Sequence, residues 1–185
     1  MDMFHEEVVV KRNQGAQNIL YILALIAMAV CAAYGLFMFN ILIMVITSQG
    51  FSTGLLPDIL IVLLAIAAAV MLFLYRDRIK MEYEYTFTNG IIDFAQVYNN
   101  KKRKNLGSMN VRNVEACGPV SSGSFKRYST MPGVKMINWF LNRDAELFYF
   151  YFVKDNAKKI IVIEPSDTLL DMIKRTVGAG KYQVN

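Results

Sequence analysis

The chain has 185 residues, enough for one domain plus an accessory segment, yet 55% of them are hydrophobic and only 19% charged, which excludes an ordinary water-soluble domain of this size. Its net charge of +5 is unevenly held: all but two of the 20 lysines and arginines lie at or beyond Arg76, and no charged residue stands between Arg12 and Asp58. The two cysteines, Cys31 and Cys117, fall in an apolar run and a polar region respectively, so a disulfide framework is excluded and both read as small apolar fillers.

Residues 1–18 read as a cytoplasmic juxtamembrane segment. Ile19 to Ile46 is an almost unbroken apolar run with Asn40 as its one strongly polar member, and a bilayer core needs only about 20 such residues as a helix. Residues 47–58 form a Gly-, Ser- and Thr-rich external loop. Ile59 to Tyr75 is a second, shorter apolar run. Neither run carries a polar stripe at helical spacing, which argues for lipid on all sides. The two predict an antiparallel transmembrane hairpin. Lys11 and Arg12 precede the first helix, Arg76, Arg78 and Lys80 follow the second, and the loop between has no cation, so both termini are expected in the cytoplasm. A cleaved secretory signal ending near Ala27-Met28-Ala29 is disfavoured, because the apolar run continues well past it and the residues ahead are net acidic.

From Arg76 to the end the pattern changes to that of a β-rich domain. Met81, Tyr83, Tyr85 and Phe87 alternate with Glu82, Glu84, Thr86 and Thr88, the period of a strand with one buried face. Asn89-Gly90 then predicts a tight hairpin, with Ile91 to Tyr98 returning. Further strands are expected over 112–120, 134–141, 147–153 and 159–164, with KDNAK (Lys154 to Lys158) as a turn and 121–133 as a loop. Pro165, Ser166 and Asp167 open an amphipathic helix carrying Leu169, Leu170, Ile173 and Val177 on one face and ending at Gly178. The sum is about seven strands capped by one C-terminal helix.

That order resembles a pleckstrin-homology-like (PH-like) barrel, in which the helix plugs one open end. EYEYTFTNGIIDF (Glu82 to Phe94) followed by KKRK resembles the opening hairpin of bacterial PH-like domains that follow a transmembrane hairpin in a Firmicutes-type family of membrane proteins. FHEEVVVKRNQG (Phe4 to Gly15) and IEPSDTLLDMI (Ile163 to Ile173) are similar to the same group. The resemblance implies a membrane helical hairpin joined to a β-rich PH-like barrel, and implies no catalytic activity.

The candidate binding residues are Lys101, Lys102, Arg103 and Lys104. Four adjacent cations beside an anionic leaflet gain about 1 kcal/mol each from its surface potential, or grip an acidic protein; on an edge strand they also simply face water and discourage edge pairing. Nucleic acid is not expected, because the aromatic residues alternate in strand register and belong to a core. Asn40 is the candidate for packing between membrane helices, through a hydrogen bond to the second helix or to another copy. No metal or cofactor is expected, since His5 is the single histidine. No nucleophile motif is present: SSGSF lacks the spacing of a nucleophile elbow, and Gly178-Ala179-Gly180-Lys181 follows a helix where a phosphate loop would open one. Glu82 and Glu84 are expected on a solvated strand face. The function expected is therefore a non-enzymatic binding module held at the inner leaflet. The alternative is a subunit or assembly factor of a larger membrane complex in which the hairpin is the working part.

Overall fold

A computed structural model describes residues 3–185. The chain divides into two compact units: residues 13–80, and a second unit made of the segment up to Arg12 together with 81–185.

The first unit is helical. Helix α1 spans Gln14–Gln49 and helix α2 spans Leu56–Tyr75, with 3₁₀ turns at Thr53–Leu55 and Arg76–Lys80. Both helices outrun the expected apolar segments: α1 is capped by Asn13, whose Oδ1 accepts from Ala16 N at 3.0 Å, and α2 opens at Leu56 with Pro57 in its first turn. At a rise of about 1.5 Å per residue, α1 is roughly 54 Å long and α2 roughly 30 Å. Both are long and apolar enough to cross a membrane, and only 6% of the most apolar window of each is buried. The helices meet at Gly35, Leu42 and Val62. Gly35 is required there, since a Cβ would lie 2.9 Å from Ile66 Cγ1.

The second unit holds eight strands where about seven were expected. Four form one antiparallel sheet in the order β1 (Phe4–Val9), β2 (Met81–Thr88), β3 (Ile91–Tyr98), β4 (Lys102–Asn110). The others, β5 (Ala116–Pro119), β6 (Lys135–Trp139), β7 (Phe148–Lys154) and β8 (Ala157–Ile163), form a second sheet in the order β5-β7-β8-β6, with β6 parallel to β8. The expected barrel is not closed, because β4 and β6 end their sheets without pairing to each other. Helix α4 (Asp167–Thr176) contributes Leu169 and Ile173, both 0% exposed, to the core between the sheets. That core is built on Tyr85, Phe87, Phe94 and Phe150.

Two of the eight strands lie outside the six stretches expected as strands. Residues 4–9, expected only as part of a juxtamembrane segment, pair with β2 from Phe4↔Thr88 to Val9↔Tyr83. The cationic run, expected on an edge strand in one of its readings though without strand bounds, begins β4 at Lys102 after a turn with Asn99 and Asn100 at φ 50° and 53°. The expected hairpin is present, with Asn89 at φ 51° and Gly90 at φ 98°, as is the Asp155-Asn156 turn. A Cβ on Gly90 would stand 2.8 Å from Thr176 Cγ2, so the turn packs against the end of α4.

The stretch expected to be a loop, 121–133, contains helix α3 (Gly123–Ser129), capped by Ser122. Its Phe125 and Tyr128 cover Tyr149 and Tyr151 on the outer face of the second sheet. Residues 112–120, expected as one strand, are a 3₁₀ turn followed by the short β5. The C-terminal tail then runs along β5: Gln183 N donates to Cys117 O at 2.8 Å and Cys117 N to Lys181 O at 2.9 Å. Gly118 permits this approach, because a Cβ there would lie 2.0 Å from the Gln183 carbonyl oxygen.

Candidate binding surface of the sheet domain

Strand register decides what the cationic run has for neighbours. Tyr98 pairs with Met81 on one side and Lys102 on the other, and Val97 pairs with Arg103. The start of β2, the end of β3 and the start of β4 therefore lie side by side at one end of the first sheet, and the end of β1, at Val9↔Tyr83, lies there too. At strand spacings of about 4.8 Å, the run is within roughly 10 Å of the start of β2. Both chain connections to the helical unit, Val10–Arg12 and Lys80, leave from this same end.

Alternation splits the run between two faces. Arg103 shares a face with Glu84 and reaches it across β3, Nη2 to Oε2 at 2.8 Å. This approach is electrostatic, since Glu84 Oε2 accepts no aligned hydrogen bond. Glu84 thus departs from the solvated face expected of it: its side chain is only 18% exposed and is paired. Lys101, Lys102 and Lys104 are exposed, and among the described residues no carboxylate lies within ion-pair distance of them.

Beside Lys102 and Lys104 the inner face carries a small polar cluster. Tyr98 Oη donates to Gln96 Oε1 at 2.7 Å, and Gln96 Nε2 reaches Tyr83 Oη at 3.5 Å. Burial, and then the neighbouring Tyr98, push the Tyr83 phenol above its ordinary range, so it stays neutral.

Where β1 leaves the sheet, a second network fixes the chain. Glu164 accepts from Asn142 N at 3.0 Å and from Asn142 Nδ2 at 2.8 Å; Asn142 Nδ2 also donates to Val10 O at 2.9 Å, and its Oδ1 accepts from Arg12 N at 3.0 Å. Arg12 and Asp144 add an exposed ion pair. Nothing in the local sequence marks Asn142 or Glu164, because the contact joins residues far apart in the chain.

His5, Glu7 and Ser166 also come together, a set of side chains that elsewhere performs nucleophilic catalysis. Here one imidazole nitrogen, Nε2, faces both Glu7 Oε2 at 3.2 Å and Ser166 Oγ at 3.4 Å, so no relay through the two ring nitrogens is laid out. Ser166 Oγ donates to Glu7 and accepts from Leu169 N at 3.3 Å, while Ser166 N donates to Glu7 Oε1 at 3.1 Å. The arrangement caps α4 and ties β1 to it. Among the described residues no group of His, Cys, Asp and Glu is placed to hold a metal ion. Cys117 is 0% exposed, and burial pushes its thiol up to about 12, against the partial lowering by Lys181.

Asn40 does not bond to α2. Its Nδ2 donates to Leu36 O of its own helix at 2.8 Å, leaving the side chain on the exposed surface of α1.

Two sheets, an amphipathic helix packed into the core between them and a cationic sheet end define a PH-like domain, here discontinuous in sequence around a helical hairpin. The chain belongs to the family described as bacterial PH-like domain (DUF6106), whose family model matches residues 1–180. No curated protein and no solved structure matches it.

Proposed function

We propose that this protein is a membrane-anchored, non-enzymatic binding module: α1 and α2 span the cytoplasmic membrane, and the PH-like domain on its inner side contacts anionic headgroups through Lys101, Lys102 and Lys104. The observation that carries this is the register, which gathers the cations and both chain connections at one sheet end. A tether of a few residues on each connection holds that end at the bilayer at high effective concentration, so weak contacts count. Each unpaired lysine gains about 1 kcal/mol from an anionic surface. Arg103 gains less, because Glu84 already holds it.

The pairing of β1 with β2 supports the hairpin topology independently of charge counting. Both strands belong to one sheet, so residues 4–9 and 81–88 share a compartment and the chain between them crosses an even number of times. Lys11, Arg12, Arg76, Arg78 and Lys80, flanking both helices, support the cytoplasm as that compartment.

The test is amide hydrogen exchange on the full chain in nanodiscs of neutral lipid and of lipid containing about a third phosphatidylglycerol. Protection of residues 99–104 rises with anionic lipid, falls with added salt, and is lost in K101E/K102E/K104E. Equal protection in both lipids removes the headgroup reading and leaves protein docking. Replacing α1 and α2 by an unrelated hairpin separates the alternative, in which the helices themselves do the work: that reading requires function to be lost while the charge-reversed chain keeps it.

A further inference from the structure

The two sheets leave a groove between them at the other half of β4. It encloses about 440 Å³ and is lined by β4 from Leu106 to Asn110, by Ile137 and Trp139 of β6, and by Phe152 and Ile161 of the β7–β8 hairpin. Both β4 and β6 are terminal strands of their sheets. Lys154 and Lys159 stand in the lining, and no carboxylate does.

We infer that this groove takes an extended peptide of alternating apolar and acidic residues, added as a strand along β4. This site is separate from the headgroup surface at the start of the same strand and does not rest on it. Three features select this occupant. A terminal strand offers unpaired backbone N–H and C=O groups, which an added strand satisfies and an acyl chain would bury unpaired at a cost. Side chains of an added strand point alternately to opposite sides, so every second residue reaches Ile137, Trp139 and Ile161 while the others lie at the rim. Lys154 and Lys159 with no opposing carboxylate favour acidic residues there.

Trp139 is the chain's single tryptophan and lines the groove, so its emission reports occupancy directly. The experiment titrates the full chain in dodecylmaltoside with a short acetylated peptide alternating valine and glutamate. The expected result is a saturable blue shift whose midpoint rises at least tenfold in K154E/K159E. The shift disappears when alternate peptide nitrogens are methylated, which blocks strand pairing without touching the protein. The inference is overturned by no shift, by a shift that survives methylation, by an equal response to the valine–lysine peptide, or by a response to oleate with none to peptide.

Discussion

In the β-rich unit Tyr85, Phe87 and Phe150 are 0% exposed, whereas in the helical unit Leu36, Phe37 and Leu74 are each 63% exposed and Met44 is 72% exposed. One unit hides its large side chains from water by folding on itself; the other presents them outward around a narrow contact between the helices at Gly35, Leu42 and Val62. On the proposed membrane placement, the same residue types thus serve two solvents. In the sheets, burial of apolar area is the driving term. On the proposed placement of the helices in lipid that term is absent between them, and close packing of small residues replaces it.

The comparison breaks most visibly at the sheet core. Phe150→Ala removes a fully buried ring and is expected to destabilise the PH-like domain by about 3–5 kcal/mol, read from denaturant unfolding of the β signal, with α1 and α2 retaining their helicity. Gly35→Leu acts on the other unit. The added side chain collides with Ile66, and an overpacking cost of about 1–3 kcal/mol is expected, seen as lower yield of a disulfide engineered between α1 and α2, with Trp139 emission unchanged. Ser166→Ala removes the cap of α4 for about 1 kcal/mol, and Glu7→Gln weakens the same tie, so exchange should rise at β1 and the start of α4 together.

The smallest effect at neutral pH is that of Cys117 ionisation. Its folded thiol ionises only near about 12, from a reference of 9.0, so its burial stabilises the fold fully below about pH 9 and loses that contribution progressively toward about 12. Burial raises the Tyr85 phenol in the same direction. Unfolding free energy should therefore fall with rising pH in that window, with a shallower slope in Cys117→Ala. In the native state Cys117 should resist iodoacetamide at pH 8.

Periodicity in the sequence carried both helices, the Asn89-Gly90 hairpin, β7, β8 and α4, because each depends on local pattern or turn chemistry. The strands it missed are those whose pattern is masked. β1 alternates inward His5, Glu7 and Val9 with outward Phe4, Glu6 and Val8, so polar and apolar residues fall on both faces. β4 opens with three cations, Lys102, Arg103 and Lys104, and its start is marked by Asn99-Asn100, two residues tolerant of positive φ that make a hairpin turn as Asn89-Gly90 does. Helix α3 was hidden by a Ser- and Gly-rich composition, although Ser122 followed by Phe125 and Tyr128 is a cap with an apolar pair at helical spacing. At the candidate surface the cations were legible. Their ion pair with Glu84, and their place beside both chain connections, were not, since both follow from strand register.

The helical hairpin interrupts the chain between two strands that pair, and on the proposed membrane placement this sets an order on the protein's biogenesis. β1 leaves the ribosome first and has no partner until both helices have been threaded and β2 emerges. A chain that inserts only one helix strands β1 and β2 on opposite sides of the bilayer, and its sheet ends at β2 with an unguarded edge. On the proposed membrane placement, a completed sheet therefore requires that both helices cross together, since β1 pairs with β2.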